Sequence, residues 1–286
     1  MSEWTMVARD TRDQLGEGVL WSARDDALYW VDILAPALNR MSLASGAITR
    51  WAMPEPIGWV VERARGPGFI AGMKSGFAEL TLDPFAVRLF ADPEPDLPGN
   101  RMNDGKADAA GAIWAGTMDM AQAAAVGSLY RLAPDRSWTR VDSGYGVTNG
   151  PAFSPDGAWL YHNDTALRTV YRFARRADGT LGARETFIRF DEEQGHPDGM
   201  TVDAAGGLWI AHWGGARVSR FHADGRIDRS IALPARQITN LTFAGPELDR
   251  MFVTSAATGL PPSAYDGALF EVDCGAVGVP TGRFDG

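Results

Sequence analysis

Glu17, Trp59, Asn103, Asn149, Asp198 and Asn240 each stand eleven residues ahead of a short apolar run: LYWVD from Leu28, IAGM from Ile70, WAGTM from Trp114, LYHND from Leu160, WIAHW from Trp209 and MFVTS from Met251. Five of the six are polar, and they differ in kind at a constant offset. Glu17, Asn149 and Asp198 bring together two carboxylates and a neutral amide oxygen. This all-oxygen donor set suits one hard divalent cation, with water or substrate filling the rest of its shell. A turn would account for any one of the pairs Asp104-Gly105, Asn149-Gly150 and Asp198-Gly199. It gives no reason for one offset from a downstream strand at six places, so the three are read as metal ligands. Asn240, in ITNLTFAG, lacks the following glycine and is divided between a pocket wall and a strand-end cap. Trp59, in IGWVV, reads as an apolar side of the same cavity.

The elements that must carry these side chains repeat. The six runs start 42 to 49 residues apart, and each is followed by a second β-type run: LNRMSL, FAEL, SLYRL, TVYRF, RVSRF and ALFEV. A period in the forties with several short strands per repeat is the pattern of propeller blades, each of four antiparallel strands, and a β-sandwich has no such longer period. The expected fold is all-β, a six-bladed β-propeller forming one domain over 1–286. Rotation about the propeller axis relates equivalent positions, so side chains at the mouths of the innermost strands converge. The chain writes NDGKADAAGAIWAGTM at 103–118 and DGMTVDAAGGLWIAHW at 198–213, which is one place in two blades contributing different groups to a shared site.

Composition narrows the function classes. With 27 basic and 36 acidic residues the net charge is -9, and no Lys/Arg cluster occurs, so nucleic acid is not expected as a partner. No apolar run approaches the ~20 residues of a membrane span, and MSEWTMVARD lacks a signal-peptide pattern. Cys274 is the single cysteine, and its surroundings, EVDCGAVG, hold no base to activate a thiol. A cytoplasmic, soluble protein is expected. Of the four histidines, none forms an HExxH pair. His196, two residues before Asp198, belongs either to the pocket rim or to a solvated loop; His162 and His212 are placed in innermost-strand segments, packed or hydrogen-bonded there. His222 carries no such signal. No GxSxG elbow is present.

LGEGVLW around Glu17, RMNDGKADAAGAIWAGTM from Arg101, TNGPAFSPDGAWLYHND from Thr148 and HPDGMTVDAAGGLWIAHWGGARVSRF from His196 resemble the successive motifs of the regucalcin, gluconolactonase and senescence-marker-protein family. The resemblance implies a six-bladed propeller with one divalent cation (Ca, Mg, Mn, Zn or Fe(II)) that hydrolyses an aldonolactone to the aldonic acid in carbohydrate catabolism. Residue by residue, Glu17, Asn149 and Asp198 match the family's metal ligands, Arg101 and Asn103 its lactone-binding residues, and Asp198 its proposed general base. Asp104 is considered for orienting Asn103. The chain departs from the pattern after GTM, where Ala121 stands in place of a lid glutamate, with Asp119 and Gln122 as substitutes. Two other readings stay open: a cation-binding propeller without turnover, and another ester hydrolase on the same scaffold.

Overall fold

The computed structural model describes residues 3–176 and 178–286, and among them there are strands but no helix. Twenty-four strands form six four-stranded antiparallel sheets. The innermost strands are β2 (Gly16–Ser22), β6 (Ile57–Glu62), β10 (Asn100–Ala107), β14 (Thr148–Phe153), β18 (His196–Val202) and β22 (Gln237–Ala244). The six apolar runs are the second strands, β3 (Ala27–Asp32), β7 (Phe69–Met73), β11 (Ile113–Asp119), β15 (Trp159–Asp164), β19 (Leu208–Trp213) and β23 (Arg250–Ala256). His162 and His212 therefore lie one strand further out than the sequence reading put them. His162 is fully buried against Tyr145, ring centroids 4.9 Å apart, and His212 Nδ1 lies 2.7 Å from the Gln194 carbonyl.

Burial falls outward across each blade. The innermost strands are packed by neighbouring blades on both faces, so β2, β6 and β22 are buried at every residue and show no in–out alternation. Outer strands such as β9 (Phe85–Ala91) and β21 (Ile227–Ala232) are mostly exposed or half-buried. Trp30, Trp59, Trp114 and Trp209 fill the space between sheets and are fully buried.

The duplicated DAAG-x-[IL]-W segment is a turn lock. Asp108 accepts the Ala110 and Ala112 amides on Oδ1 and the Trp114 indole N–H, at 2.8 Å, on Oδ2. Asp203 repeats this with Ala205, Gly207 and Trp209, and Arg220 adds a further donor. One carboxylate thereby fixes the hairpin from inner to second strand and gives a buried indole its partner.

The ring closes through β1 (Trp4–Met6), which pairs with β24 (Leu269–Val272) of the last blade in the register Trp4↔Val272 to Met6↔Phe270. After β24 the chain crosses the lower face. Val277 O accepts the Ala204 amide, Phe284 N donates to Glu62 O, and Phe284 is buried in the cluster that holds Trp59.

Candidate metal and lactone site

All six ring positions lie on innermost strands, and every one of these strands slips in register beside its ring residue: between Glu17 and Leu20, Ile57 and Trp59, Met102 and Gly105, Asn149 and Ala152, Pro197 and Met200, and Ile238 and Leu241. A bulge adds a residue to one strand and re-aims the local side chains. The repeated irregularity frees these residues from the in–out rhythm of the sheet, and turns the polar five, though not Trp59, to the axis.

Glu17, Arg101, Asn103, Asn149, Asp198 and His196 line one cavity of about 300 Å³ at the upper end of the axis, with Gln122 from the loop after β11 and Thr165 from the turn after β15. Arg101 Nη1 donates to Asn103 Oδ1 at 2.6 Å and to the Met102 carbonyl at 2.9 Å. Asn103 Nδ2 donates to Thr148 O at 2.5 Å and to Asn149 Oδ1 at 3.0 Å. Asn149 Nδ2 donates to Thr165 Oγ1 at 2.8 Å, which fixes the amide with its oxygen on the cavity side. Thr165 in turn donates to Pro197 O, and its carbonyl lies 2.8 Å from His196 Nδ1. These contacts bind three blades into one polar net.

The carboxylates sit differently. Glu17 Oε2 accepts the Gly18 amide at 3.0 Å and Asn240 Nδ2 at 2.9 Å, which leaves Oε1 for the cavity. Asp198 is 3% exposed, and its Oδ1 is buried without a hydrogen-bond partner among the described residues. A buried carboxylate oxygen with nothing to accept is costly unless a cation or proton meets it. Burial, and after it the Asp104 charge, pushes Glu17 up to about 8; burial, then Glu17 and Asp104, raises Asp198 well above the carboxylate range. Burial pulls Arg101 down to about 10, against the attraction of Glu17 and Asp198. Crowding carboxyls where water cannot screen them favours their protonated forms, and a divalent cation would compete with those protons. No cluster of three or more His, Cys, Asp or Glu side chains able to hold a metal occurs among the described residues; the oxygen donors this cavity offers are two carboxylates and the Asn149 amide.

Three sequence expectations are corrected. Trp59 is not a wall of this cavity: its indole is fully buried in the core, lying so close to Gly72 and Gly105 that a Cβ at either would come within 2.2 and 2.7 Å of it. Asp104 does not orient Asn103; it accepts the Gly105 amide at 2.8 Å and Asn240 Nδ2 at 3.2 Å, and lines a second cavity of about 370 Å³ at the lower end with Lys106, Val60, Val202 and Phe243. Asn240 is neither pocket wall nor strand-end cap, being fully buried within β22 between the two cavities. On the lid, Gln122 reaches the cavity, whereas Asp119 turns both oxygens to its own loop, accepting the Ala121 and Ala123 amides. Thr165 and Gln122 carried no repeat signal in the sequence, since both belong to turns that differ from blade to blade.

A six-bladed propeller with an oxygen-lined pocket on its axis defines the class. The chain belongs to the SMP-30/gluconolactonase/LRE-like family, whose model matches residues 15–257. It is 37% identical to a pentonolactonase of Haloferax volcanii, over 96% of each chain, and 35% identical to an L-arabinolactonase of Azospirillum brasilense, over 99% of this chain and 95% of that one. Among solved structures it superposes on a calcium-binding protein, regucalcin, of Agrobacterium tumefaciens with a TM-score of 0.92 at 31% identity, covering 98% of this chain and 96% of the other.

Proposed function

We propose that this protein is a lactone hydrolase, and specifically a divalent-cation-dependent aldonolactonase that opens a sugar lactone to its aldonic acid in the cytoplasm, with 1–286 working as one domain. Family membership and the lactonases among its relatives support hydrolysis of a lactone. The cation rests on one observation above the others, the unpartnered, buried Oδ1 of Asp198 in a cavity shared with Glu17 and Asn149.

In this reading Glu17, Asn149 and Asp198 hold the cation, and a bound cation supplies a Lewis acid for the lactone carbonyl. Arg101 and Asn103 hold the sugar. Nη1 of Arg101 is spent on Asn103 and Met102, which leaves its other guanidinium donors for ring or hydroxyl oxygens and for charge developing on the carbonyl oxygen. Asn103 has both amide hydrogens committed to Thr148 and Asn149, so it meets a substrate hydroxyl as an acceptor through Oδ1. Asp198, which matches the family's general base, takes the proton of the attacking water on its carboxylate. The new C–O bond forms at the carbonyl carbon, the ring ester C–O bond breaks, and Asp198 returns its proton to the departing ring oxygen as the hydroxy acid leaves.

The test is acid release, followed by a pH indicator, over pentono- and hexonolactones with and without chelator. Turnover abolished by chelation and restored by one divalent ion is expected. An undiminished rate in the chelated protein, after subtracting spontaneous hydrolysis, overturns the cation-dependent mechanism.

A further inference from the structure

The ring residue of the last blade, Asn240, lines neither axial cavity, yet it is held on every side. Asn240 spends every polar atom of its side chain. Nδ2 donates one hydrogen to Glu17 Oε2 at 2.9 Å and the other to Asp104 Oδ2 at 3.2 Å, while Oδ1 accepts the Leu241 amide at 2.8 Å. Turned over, the amide would set its oxygen against two carboxylate oxygens, so only one orientation is tolerable. The backbone is equally pinned. Asn240 N donates to Thr254 Oγ1 at 3.1 Å, that hydroxyl is also shared with Asn240 O and Thr239, and Thr239 Oγ1 donates to Gly16 O, next to Glu17. The amide lies flat on Gly199, the residue after Asp198, where a Cβ would come within 2.4 Å of Asn240 Cγ.

We infer that Asn240 is a positioning residue for the cation site: its amide fixes the Glu17 carboxylate from below, ties it to Asp104, and presents Glu17 Oε1 upward. The inference rests on the reading of Glu17, Asn149 and Asp198 as cation ligands. Asn240 itself offers the cation nothing, because its one acceptor is turned back to Leu241. Its place is that of an outer partner that orients a ligand, and loss of such partners typically costs 10–100-fold in metal affinity.

The experiment titrates metal-stripped protein with Ca²⁺ and with Mn²⁺ by calorimetry. Asn240→Leu keeps nearly the same volume over Gly199 and removes both donors; cation affinity is expected to fall about 10–100-fold, with the lactone KM at saturating cation unchanged. Asn240→Ser, smaller and unable to reach both carboxylates, is expected to fall likewise and serves if the leucine variant does not fold, circular dichroism being the check. Affinity within threefold of the parent in a folded variant overturns the inference. Asp198→Asn runs alongside. Cation binding retained there sinks the cation reading itself, whereas binding lost in Asp198→Asn but kept in Asn240→Leu sinks only the role of Asn240.

Discussion

Removing the cation should make the protein's stability depend on pH in a direction opposite to ordinary acid unfolding. In the unfolded chain Glu17 ionises near 4.5; in the folded chain without cation it holds its proton to about 8. Between those values the folded state carries a proton that the unfolded state has released. Raising pH therefore removes stability, by about 1.4 kcal/mol per pH unit for one such carboxyl, fully present below 4.5 and lost through 8. Asp198 and Asp104 are shifted the same way and crowd the same charges, so a single shared proton is counted. From pH 5 to pH 7 the loss is about 3 kcal/mol, or a fall of roughly 5 °C in Tm for a chain of this length. With the cation bound the carboxylates are already ionised and this dependence vanishes. The assay is thermal unfolding across pH 5–8, chelated and cation-saturated, and the quantity that matters is the difference between the two curves. That difference should be small at pH 5 and grow towards pH 8. Parallel curves would show that no buried proton gives way to a cation on the axis.

Asn103→Ala should cut kcat/KM by roughly ten- to a hundredfold through lost bonds to Arg101, as for hydrogen bonds to a charged group, while calorimetric cation affinity falls far less than in Asp198→Asn; equal losses would refute the partition of the ring. Ala121→Glu, on the exposed lid beside Gln122, should reorder a lactone panel by kcat/KM without abolishing turnover, and an unchanged order would mean that the lid does not meet substrate. Trp59→Ala should cost about 3–5 kcal/mol in urea unfolding as a core truncation, yet leave cation affinity of the folded protein within a few-fold; a selective loss of cation binding would return Trp59 to the site.

The six blades were legible because each repeat spells its second strand in aromatic and β-branched residues, at a period no helix or sandwich shares. The convergence of Glu17, Asn149 and Asp198 followed from rotational equivalence and needed only a constant offset. What failed to show is whatever depends on the direction of a side chain after a bulge. Asp104 and Asn103 are neighbours within the register slip of β10 between Met102 and Gly105, and there one serves the lower cavity and the other the upper. Trp59 shares the offset of the polar five but has no hydrogen bond to draw it to the axis, and burying its large ring against Gly72 and Gly105 is the stronger pull. Thr165 holds Asn149 from a turn, where contact across the fold leaves no trace in local spacing.

The seam of the ring runs between the blade begun by β2 and the blade completed by β1, and the bond from Asn240 to Glu17 crosses it, joining residues 223 apart. The lining of the upper cavity comes from residues 15–213, ahead of the last blade, but the bond that orients Glu17 waits for that blade. On the cation-binding reading proposed above, a chain still emerging from the ribosome would hold its three ligands before the group that orients Glu17, and full cation affinity would come only with the final strands. Such long-range closure is also the slow step to expect in folding. Tight capture of a divalent ion would thus mark completion of the whole circle, and an unclosed chain would betray itself by binding one more weakly.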